Sequence, residues 1–256
     1  MVDRQWTRGS SNGLRALSGV GAVFLCWNLL FAAPALGVTT VTFAGFQHGQ
    51  PVTAVDNAQI TVTNPTGPDL GIVFDTSFTG TQDEDLEGPP WMMGNLAAAN
   101  TVLDQILIIA EDDTDSDSDG LVDDPDDEGS RPAGTIVIDF GIPVDSFGLD
   151  LVDVEPFSGE IGRLIFQSGQ MSVIRDFADL PLRDSSVEFG DNSANRIDPF
   201  LASELGLGSI GAVIVEMGGS GGIDNLVFNE ISVPEPATGA LLGLGILFAL
   251  VPRRRC

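Results

Sequence analysis

The sequence predicts an all-β fold, a β-sandwich or jelly-roll-like body that occupies residues 38–233. Short apolar runs alternate along this segment with clusters of Asn, Gly, Pro and Asp, which are typical turn residues. Several runs are continuously β-branched or alternate apolar with polar positions, as in residues 135–140 and 212–216. A strand–helix–strand rhythm of about 30 residues is not visible, which argues against a parallel α/β sheet.

The runs between the turn clusters predict eleven strands, and two further segments predict helical turns. Many short strands with Gly- and Pro-rich turns favour a sandwich. The predicted helical turns are Gly94–Gln105 and Pro199–Leu205. The predicted strands are Val38–Phe46, Ile60–Thr63, Gly71–Phe78, Val102–Ala110, Thr135–Phe140, Phe147–Val154, Arg163–Gln167, Met171–Phe177, Ser186–Phe189, Ile210–Glu216 and Ile223–Ile231.

The charge of the chain is unevenly distributed. The formal net charge is −26, and all eleven basic residues are Arg. Six of these lie near the two ends, so that residues 38–233 hold five Arg against 35 acids and carry a net charge of −30. Such an acidic body lacks the basic face with which a nucleic-acid-binding protein neutralises phosphates. The two Cys, Cys26 and Cys256, lie near opposite ends, which excludes a disulfide framework.

Residues 1–37 have the three parts of a secretory signal peptide. An apolar stretch over residues 16–31 precedes Ala35 and Gly37, which place small side chains at the −3 and −1 positions of a cleavage site. We expect signal peptidase to cut between Gly37 and Val38 after export through the Sec machinery; the alternative is an uncleaved membrane anchor. The positive charges that open the segment are those of Arg4, Arg8 and Arg15.

The C-terminal segment, residues 234–256, combines an extended strip, a short apolar helix and a cationic end. Because Pro234 and Pro236 flank Glu235, a helix can begin only after Pro236. Residues 237–251 carry no charge. As a transmembrane helix they would span about 22 Å, which is short for a hydrocarbon core of about 30 Å. The cationic end would stay on the cytoplasmic side of the inner membrane, and it consists of Arg253, Arg254 and Arg255.

These three parts, in this order at the end of the chain, resemble the PEP-CTERM sorting signal. The resemblance implies a substrate of an exosortase, a membrane cysteine transpeptidase of exopolysaccharide-producing Gram-negative bacteria. It also implies cleavage near the Pro234–Pro236 strip, with release or re-attachment of a body that is anchored to the inner membrane only transiently. The alternative is an ordinary tail anchor with a Pro-rich stalk.

Several phrases of the body are similar to those of PEP-CTERM proteins with a lectin-like β-sandwich. This resemblance implies a sandwich fold but no particular ligand. The phrases are Asp83–Leu86, Ile106–Ile109, Asp124–Glu128, Phe147–Asp150 and Ile223–Phe228.

Residues 111–128, which we call the acidic loop, contain eleven carboxylates in eighteen residues. Set against a twelve-residue calcium loop, Asp115, Asp117 and Asp119 take positions 1, 3 and 5, and Gly120 takes the position of the sharp turn. Carboxylates at alternate residues suit a hard cation with six to eight oxygen ligands. Without an ion, these like charges would repel one another.

The remaining positions of this calcium loop are also occupied by suitable residues. Leu121 would bind through its carbonyl at position 7, Val122 supplies the apolar position 8, and Asp123 and Asp126 take positions 9 and 12. The flanking segments are not helical, so the loop resembles thrombospondin type 3 or dockerin calcium loops more than a paired-helix EF-hand. The resemblance implies one bound Ca²⁺; the alternative is a solvated acidic run without function.

Few residues of the chain are candidates for catalysis. His48 is its single His, and we predict a structural role for it at a strand end. Asp150, Asp153 and Glu155 could form a glycosidase pair, but their alternation predicts the solvent face of a strand. Trp91 lies in a predicted loop, where it would either stack on a sugar ring or plug the edge of the sandwich.

These features predict an exported, exosortase-processed protein of the cell surface or extracellular matrix that is stabilised by calcium and has no enzymatic activity. We expect it to be associated with biofilm and exopolysaccharide, with extracellular polysaccharide as a ligand. The alternative hypothesis is a secreted carbohydrate-active hydrolase on a jelly-roll scaffold. That activity would need two carboxylates about 5–10 Å apart across a cleft.

Overall fold

The computed structural model describes residues 37–231. The predicted signal segment before Gly37, with Cys26, lies outside the described residues, and so does the predicted helix 237–251. The same holds for the residues predicted for sorting and for the last Cys, which are Pro234, Glu235, Pro236, Arg253, Arg254, Arg255 and Cys256. Within the described part, no helix has the length and apolar character needed to cross a membrane.

Eleven strands and one short α-helix form between residues 37 and 231. The helix α1 is Leu180–Arg183, and single 3₁₀ turns cover Glu84–Leu86, Ala97–Ala99 and Phe177–Asp179. The strands are β1 Val38–Val41, β2 Ala54–Val55, β3 Ala58–Thr63, β4 Gly71–Asp75, β5 Gln105–Ile109, β6 Gly134–Val152, β7 Arg163–Ser168, β8 Met171–Asp176, β9 Ala194–Leu201, β10 Ile210–Met217 and β11 Gly222–Glu230.

The all-β prediction is confirmed, because the strands pair antiparallel throughout residues 37–231 and form one curled sheet. Most predicted strands are present, with bounds shifted by a few residues. The finer prediction of a sandwich, jelly roll or lectin-like body stays a prediction.

Two parts of the strand prediction are wrong. Thr135–Phe140 and Phe147–Val154 are not separate strands, because β6 continues through Gly141 and Pro143, where its pairing with β10 shifts register. Ser186–Phe189 is not a strand. The helical turn predicted at Pro199–Leu205 is present only after β9 ends, where the N–H of Leu205 donates to the carbonyl of Leu201 at 3.2 Å. Its first residue, Pro199, lies inside β9, which tolerates a proline because its pairing with β6 is interrupted by a bulge.

Strand β6 is shared by most of the sheet. Its first half pairs with β3 on one edge and β10 on the other, and its second half pairs with β9 and β11. The remaining strands extend the sheet in the order β4–β5–β11–β6–β10–β7–β8, while β1 pairs with β11 and β2 with β3. The 19 residues of β6 therefore hydrogen-bond along both edges for most of their length.

The pairing partners of β6 require it to bend. Gly134, at its start, pairs with Met217 at the end of β10, whereas Val152, at its end, pairs with Gly222 at the start of β11. Only residues 218–221 join these two partners, and this connection can span at most about 18 Å. A straight strand of this length would extend about 60 Å. The two ends of β6 must therefore lie close together, and the sheet curls.

Two apolar layers result from this curl. On β5, Leu107 and Ile109 belong to the larger layer, whereas Ile106 and Ile108 belong to the smaller one. Because β5 is buried on both faces, its sequence is a continuous apolar run rather than an alternating one. Side chains from connecting segments help to close the smaller layer, and these include Leu86, Trp91, Leu96, Leu103 and Val122.

The prediction that Asp150 and Asp153 face solvent is wrong, because their exposed fractions are 0% and 4%. This end of β6 pairs with β9 and β11, and its side chains are buried on both faces. Alternate residues therefore do not form a solvent-exposed face here. Asp150 forms a bidentate ion pair with Arg196 of β9, at 2.8 and 2.7 Å. Asp224 of β11 lies opposite Asp150. Burial raises the pKa of Asp224 to about 7, and the charge of Asp150 adds to the shift. Glu155 is half-buried.

Candidate functional site

The acidic loop begins and ends at one end of the curled sheet. Ile108 of β5 pairs with Gly222, and Gly134 of β6 pairs with Met217, so the β5–β6 connection runs beside the turn at residues 218–221. The base of the loop is closed by backbone hydrogen bonds. The N–H of Glu111 donates to the carbonyl of Asp126 at 3.1 Å, and the N–H of Glu128 donates to the carbonyl of Ile109 at 2.9 Å.

Val122 holds the acidic loop against the body. Its side chain is buried in the smaller apolar layer, and its N–H donates to the carbonyl of Gly49 at 2.9 Å. Gly49 has φ +77°, and a Cβ at this position would lie 2.3 Å from the Val122 carbonyl oxygen. The apolar residue predicted at position 8 of the calcium loop is therefore one of the contacts that hold the loop in place.

Carboxylates organise the backbone of the loop tip. Asp115 accepts hydrogen bonds from the N–H groups of Asp119 at 3.1 Å and Gly120 at 3.0 Å. Asp119 accepts one from the N–H of Leu121 at 2.9 Å. Gly120 has φ +88°, the left-handed conformation expected at a sharp turn. The loop thus has ordered geometry around the predicted ligand positions.

Three of the predicted ligands come together at the tip, and we call them the loop cluster. An oxygen from each of Asp115, Asp117 and Asp123 lies within 4.8 Å of the others. Asp115 is half-exposed and the other two are exposed. The N–H of Ser116 donates to Asp123 at 2.9 Å and lowers the pKa of that carboxyl. The carboxylate of Asp119 lies outside this group of three.

Asp126 lies elsewhere, in a second group that we call the buried cluster. An oxygen of Asp126 is within 4.8 Å of oxygens from Asp83 and Asp127. Asp83 and Asp127 are only 8% and 7% exposed. Burial raises the pKa of Asp83 to about 7, with the charges of Asp126 and Asp153 adding to the shift. Burial also raises the pKa of Asp127 well above its ordinary value, and the charge of Asp83 contributes.

The buried cluster is connected to the rest of the sheet through the β10–β11 turn. The hydroxyl of Ser220 lies 3.0 Å from oxygens of both Asp127 and Asp153, and the N–H of Gly221 donates to Asp127. The sequence does not indicate Asp83 as a metal ligand. It is 43 residues away from Asp126 in the chain, and no local spacing pattern relates them.

Two other candidates have structural roles. His48 accepts a hydrogen bond on Nδ1 from the N–H of Asp75 at 2.9 Å, and its ring lies 4.6 Å from that of Phe78. Burial lowers the pKa of His48, and the charge of Asp75 opposes this shift. Trp91 is 5% exposed and donates from Nε1 to the Thr101 carbonyl at 2.8 Å. A buried Trp91 cannot stack on a sugar ring.

An open groove of about 700 Å³ lies on another part of the described body. Two arginines enter its lining, and both are paired: Arg131 with Glu160 at 2.7 Å and Arg163 with Glu216 at 2.8 Å. Ile161 adds an exposed apolar side chain. Such a mixture of apolar surface and a few polar groups is typical of small-molecule sites.

The fold and the loop together define an acidic all-β protein with a folded carboxylate loop at one end of its sheet. Residues 232–255 match the protein-family model of the PEP-CTERM protein-sorting motif. This motif identifies the chain as an exosortase substrate, an exported protein that is anchored transiently at the membrane. The match agrees with the predicted sorting segment, 234–256, to within two residues at each end. No curated protein and no solved structure matches the chain significantly.

The contact between Gly49 and Val122 predicts a specific effect of enlarging Gly49. The substitution Gly49→Ala should destabilise the body by about 1–3 kcal/mol through the clash with Val122, in addition to about 1 kcal/mol for the positive φ. Chemical denaturation would measure this, and limited proteolysis should show earlier cutting within residues 111–128. Gly80→Ala is a matched control, because Gly80 has φ +73° and open space around it. Equal losses in the two variants would show that Val122 does not hold the loop.

Proposed function

We propose that this protein is a calcium-stabilised, non-enzymatic component of the cell surface or extracellular matrix of an exopolysaccharide-producing Gram-negative bacterium. The observation that carries the calcium part is the convergence of Asp115, Asp117 and Asp123 on one point of an ordered loop. The sorting motif carries the export part. We further propose that the protein associates with biofilm or exopolysaccharide, and the groove that contains Arg131 and Arg163 supports this part of the proposal.

Calcium suits the loop cluster for three physical reasons. The donors are carboxylate oxygens, which hard divalent cations prefer. Their oxygens all lie within 4.8 Å of one another, close enough for one cation to contact all three. Asp119 and the carbonyl of Leu121, which we predict as further ligands, belong to the same turn. An exposed loop would keep water as additional ligands.

The groove that contains Arg131 and Arg163 is the place where we propose that polysaccharide binds. Its arginines are held in position by ion pairs and its exposed Ile161 offers an apolar contact for a sugar face. The alternative function, a hydrolase, would need two free carboxylates that face each other. Of the acids lining the groove, Glu216 pairs with Arg163 and Asp69 accepts the N–H of Asn64 at 2.8 Å. These engagements favour binding over catalysis.

The sorting proposal predicts the fate of a variant in the Pro-Glu-Pro strip. Replacing Glu235 with Ala should leave the protein in the membrane fraction of a host that carries the exosortase, because the enzyme would no longer recognise the strip. Intact mass spectrometry and cell fractionation would measure the retained form. Glu84→Ala, which removes an exposed acid of the body, should be processed normally. Normal release of the Glu235 variant would contradict the proposal.

The calcium proposal predicts a difference between two divalent ions. Calcium at ten times its Kd stabilises the fold by about 1.4 kcal/mol, which raises the Tm by a few degrees. Magnesium should do less, because it requires a strict octahedron and dehydrates reluctantly. The double variant Asp117→Asn and Asp119→Asn should show a smaller difference than the wild type, as measured by differential scanning calorimetry across a calcium titration.

The control for that experiment has the same change in charge in the same loop. Asp112→Asn with Asp113→Asn removes two exposed acids outside the loop cluster and should keep the difference between calcium and magnesium. Both double variants should show the same general response to ionic strength, since the body carries a large negative charge. If calcium stabilises the Asp117/Asp119 variant as strongly as the wild type, the loop is only a solvated acidic segment.

The polysaccharide proposal predicts that the groove determines retention on a glycan. The full chain should bind at least one member of a panel of neutral and acidic bacterial polysaccharides, and Arg131→Ala should lower its affinity about tenfold by removing a charged hydrogen-bond donor. Surface plasmon resonance would measure both. Arg175→Ala, outside this groove, should bind as the wild type does. Equal binding by the Arg131 variant would exclude this groove as the site.

A further inference from the structure

The buried cluster presents an electrostatic problem that the loop cluster does not. Its three carboxylates, Asp83, Asp126 and Asp127, come from two different connections of the sheet, and two of them are more than nine-tenths buried. Like charges this close repel strongly in a medium from which water is largely excluded. Something must compensate them if the three are to remain together.

The protein supplies little compensation of its own. The ion pairs found within residues 37–231 join the arginines to other acids. Asp127 receives the N–H of Gly221, but the single hydroxyl proton of Ser220 is shared between Asp127 and Asp153. Hydrogen bonds therefore compensate only part of the charge.

Asp83 provides the independent indication of a missing ligand. Its Oδ2 atom is buried and has no hydrogen-bond partner among the described residues, although a buried carboxylate oxygen is costly to leave unpaired. The side chain is 92% buried and its carboxyl belongs to the group that meets Asp126 and Asp127. A buried carboxylate that lies beside two others and has an oxygen without a donor is the arrangement expected of a metal ligand.

We propose that Asp83, Asp126 and Asp127 form a second divalent-cation site, separate from the loop cluster and buried at the base of the acidic loop. Carboxylate oxygens alone favour Ca²⁺ over softer transition metals. The mutual separations, none above 4.8 Å, place the three oxygens close enough together to share one ion.

The site would join three connections of the sheet at one point. Asp83 belongs to the β4–β5 connection, and Asp126 and Asp127 belong to the β5–β6 connection. Ser220 and Gly221, in the β10–β11 turn, hold Asp127 from the other side. A cation here is a cross-link between segments that are far apart in the chain, whereas an ion in the loop cluster orders only the loop tip.

The buried cluster shares no residue with the loop cluster, so the two proposed sites can be tested separately. The full chain is stripped with EDTA and then titrated with calcium alone, and bound calcium is counted by equilibrium dialysis. Asp83→Asn should bind one calcium ion fewer per chain than the wild type. Glu84→Gln, which removes the adjacent exposed carboxylate, should bind as many as the wild type.

Thermal unfolding gives a second readout in which the order of stability reverses. In EDTA, Asp83→Asn should melt at or above the Tm of the wild type, because it removes one of three repelling charges. In saturating calcium it should melt below the wild type, because it has lost a ligand. A proton shared among the carboxylates, in place of a metal, would give the same order in both solutions and would overturn the proposal.

A second variant tests the site if the Asp83 variant does not fold. If Asp83→Asn lacks the circular dichroism of the wild type, Asp126→Asn takes its place, since Asp126 is only half-buried and tolerates a polar replacement more readily. If a folded Asp83→Asn or Asp126→Asn variant binds as many calcium ions as the wild type, the proposed second site is wrong. Loss of calcium from the Asp117/Asp119 variant has no bearing on this result, because that variant leaves the buried cluster intact.

Discussion

Strand β6 bends so that its two ends meet the two ends of a four-residue turn, and most of the molecule depends on this constraint. The turn at residues 218–221 cannot span a straight 19-residue strand, so the sheet has to curl around β6. The curl separates the apolar side chains of β4 and β5 into two layers. It also leaves the smaller layer to be closed by connecting segments rather than by another strand.

The position of the acidic loop follows from the same constraint. The β5–β6 connection starts beside Gly222 and ends beside Met217, so it must run next to the β10–β11 turn. One apolar residue, Val122, holds this strongly acidic segment against Gly49. The loop can therefore carry many carboxylates at its tip and base while its middle remains packed on the body.

The charge of the body gives the two carboxylate clusters a common physical meaning. A segment with a net charge of −30 has few arginines to pair with buried acids. Two of them, Arg163 and Arg196, form ion pairs with acids outside both clusters. In the proposed calcium-bound form, divalent cations outside the cell supply the missing positive charge. An exported protein whose connections are held by such ions would be compact outside the cell and less compact where free calcium is scarce.

The sequence by itself determined the all-β class, the acidic loop and the sorting motif, because each rests on a local pattern: apolar runs between turns, carboxylates at alternate residues, and Pro-Glu-Pro before an apolar run and arginines. It also indicated Gly120 as the turn residue, and Val122, the predicted apolar position 8, is buried. Only the tertiary structure decided that two predicted strands are one, that Asp150 is buried against Arg196, and that Asp126 lies with Asp83 rather than with Asp115. Each of these depends on which strands become neighbours when the sheet curls. Contacts between residues far apart in the chain leave no periodic pattern in the sequence.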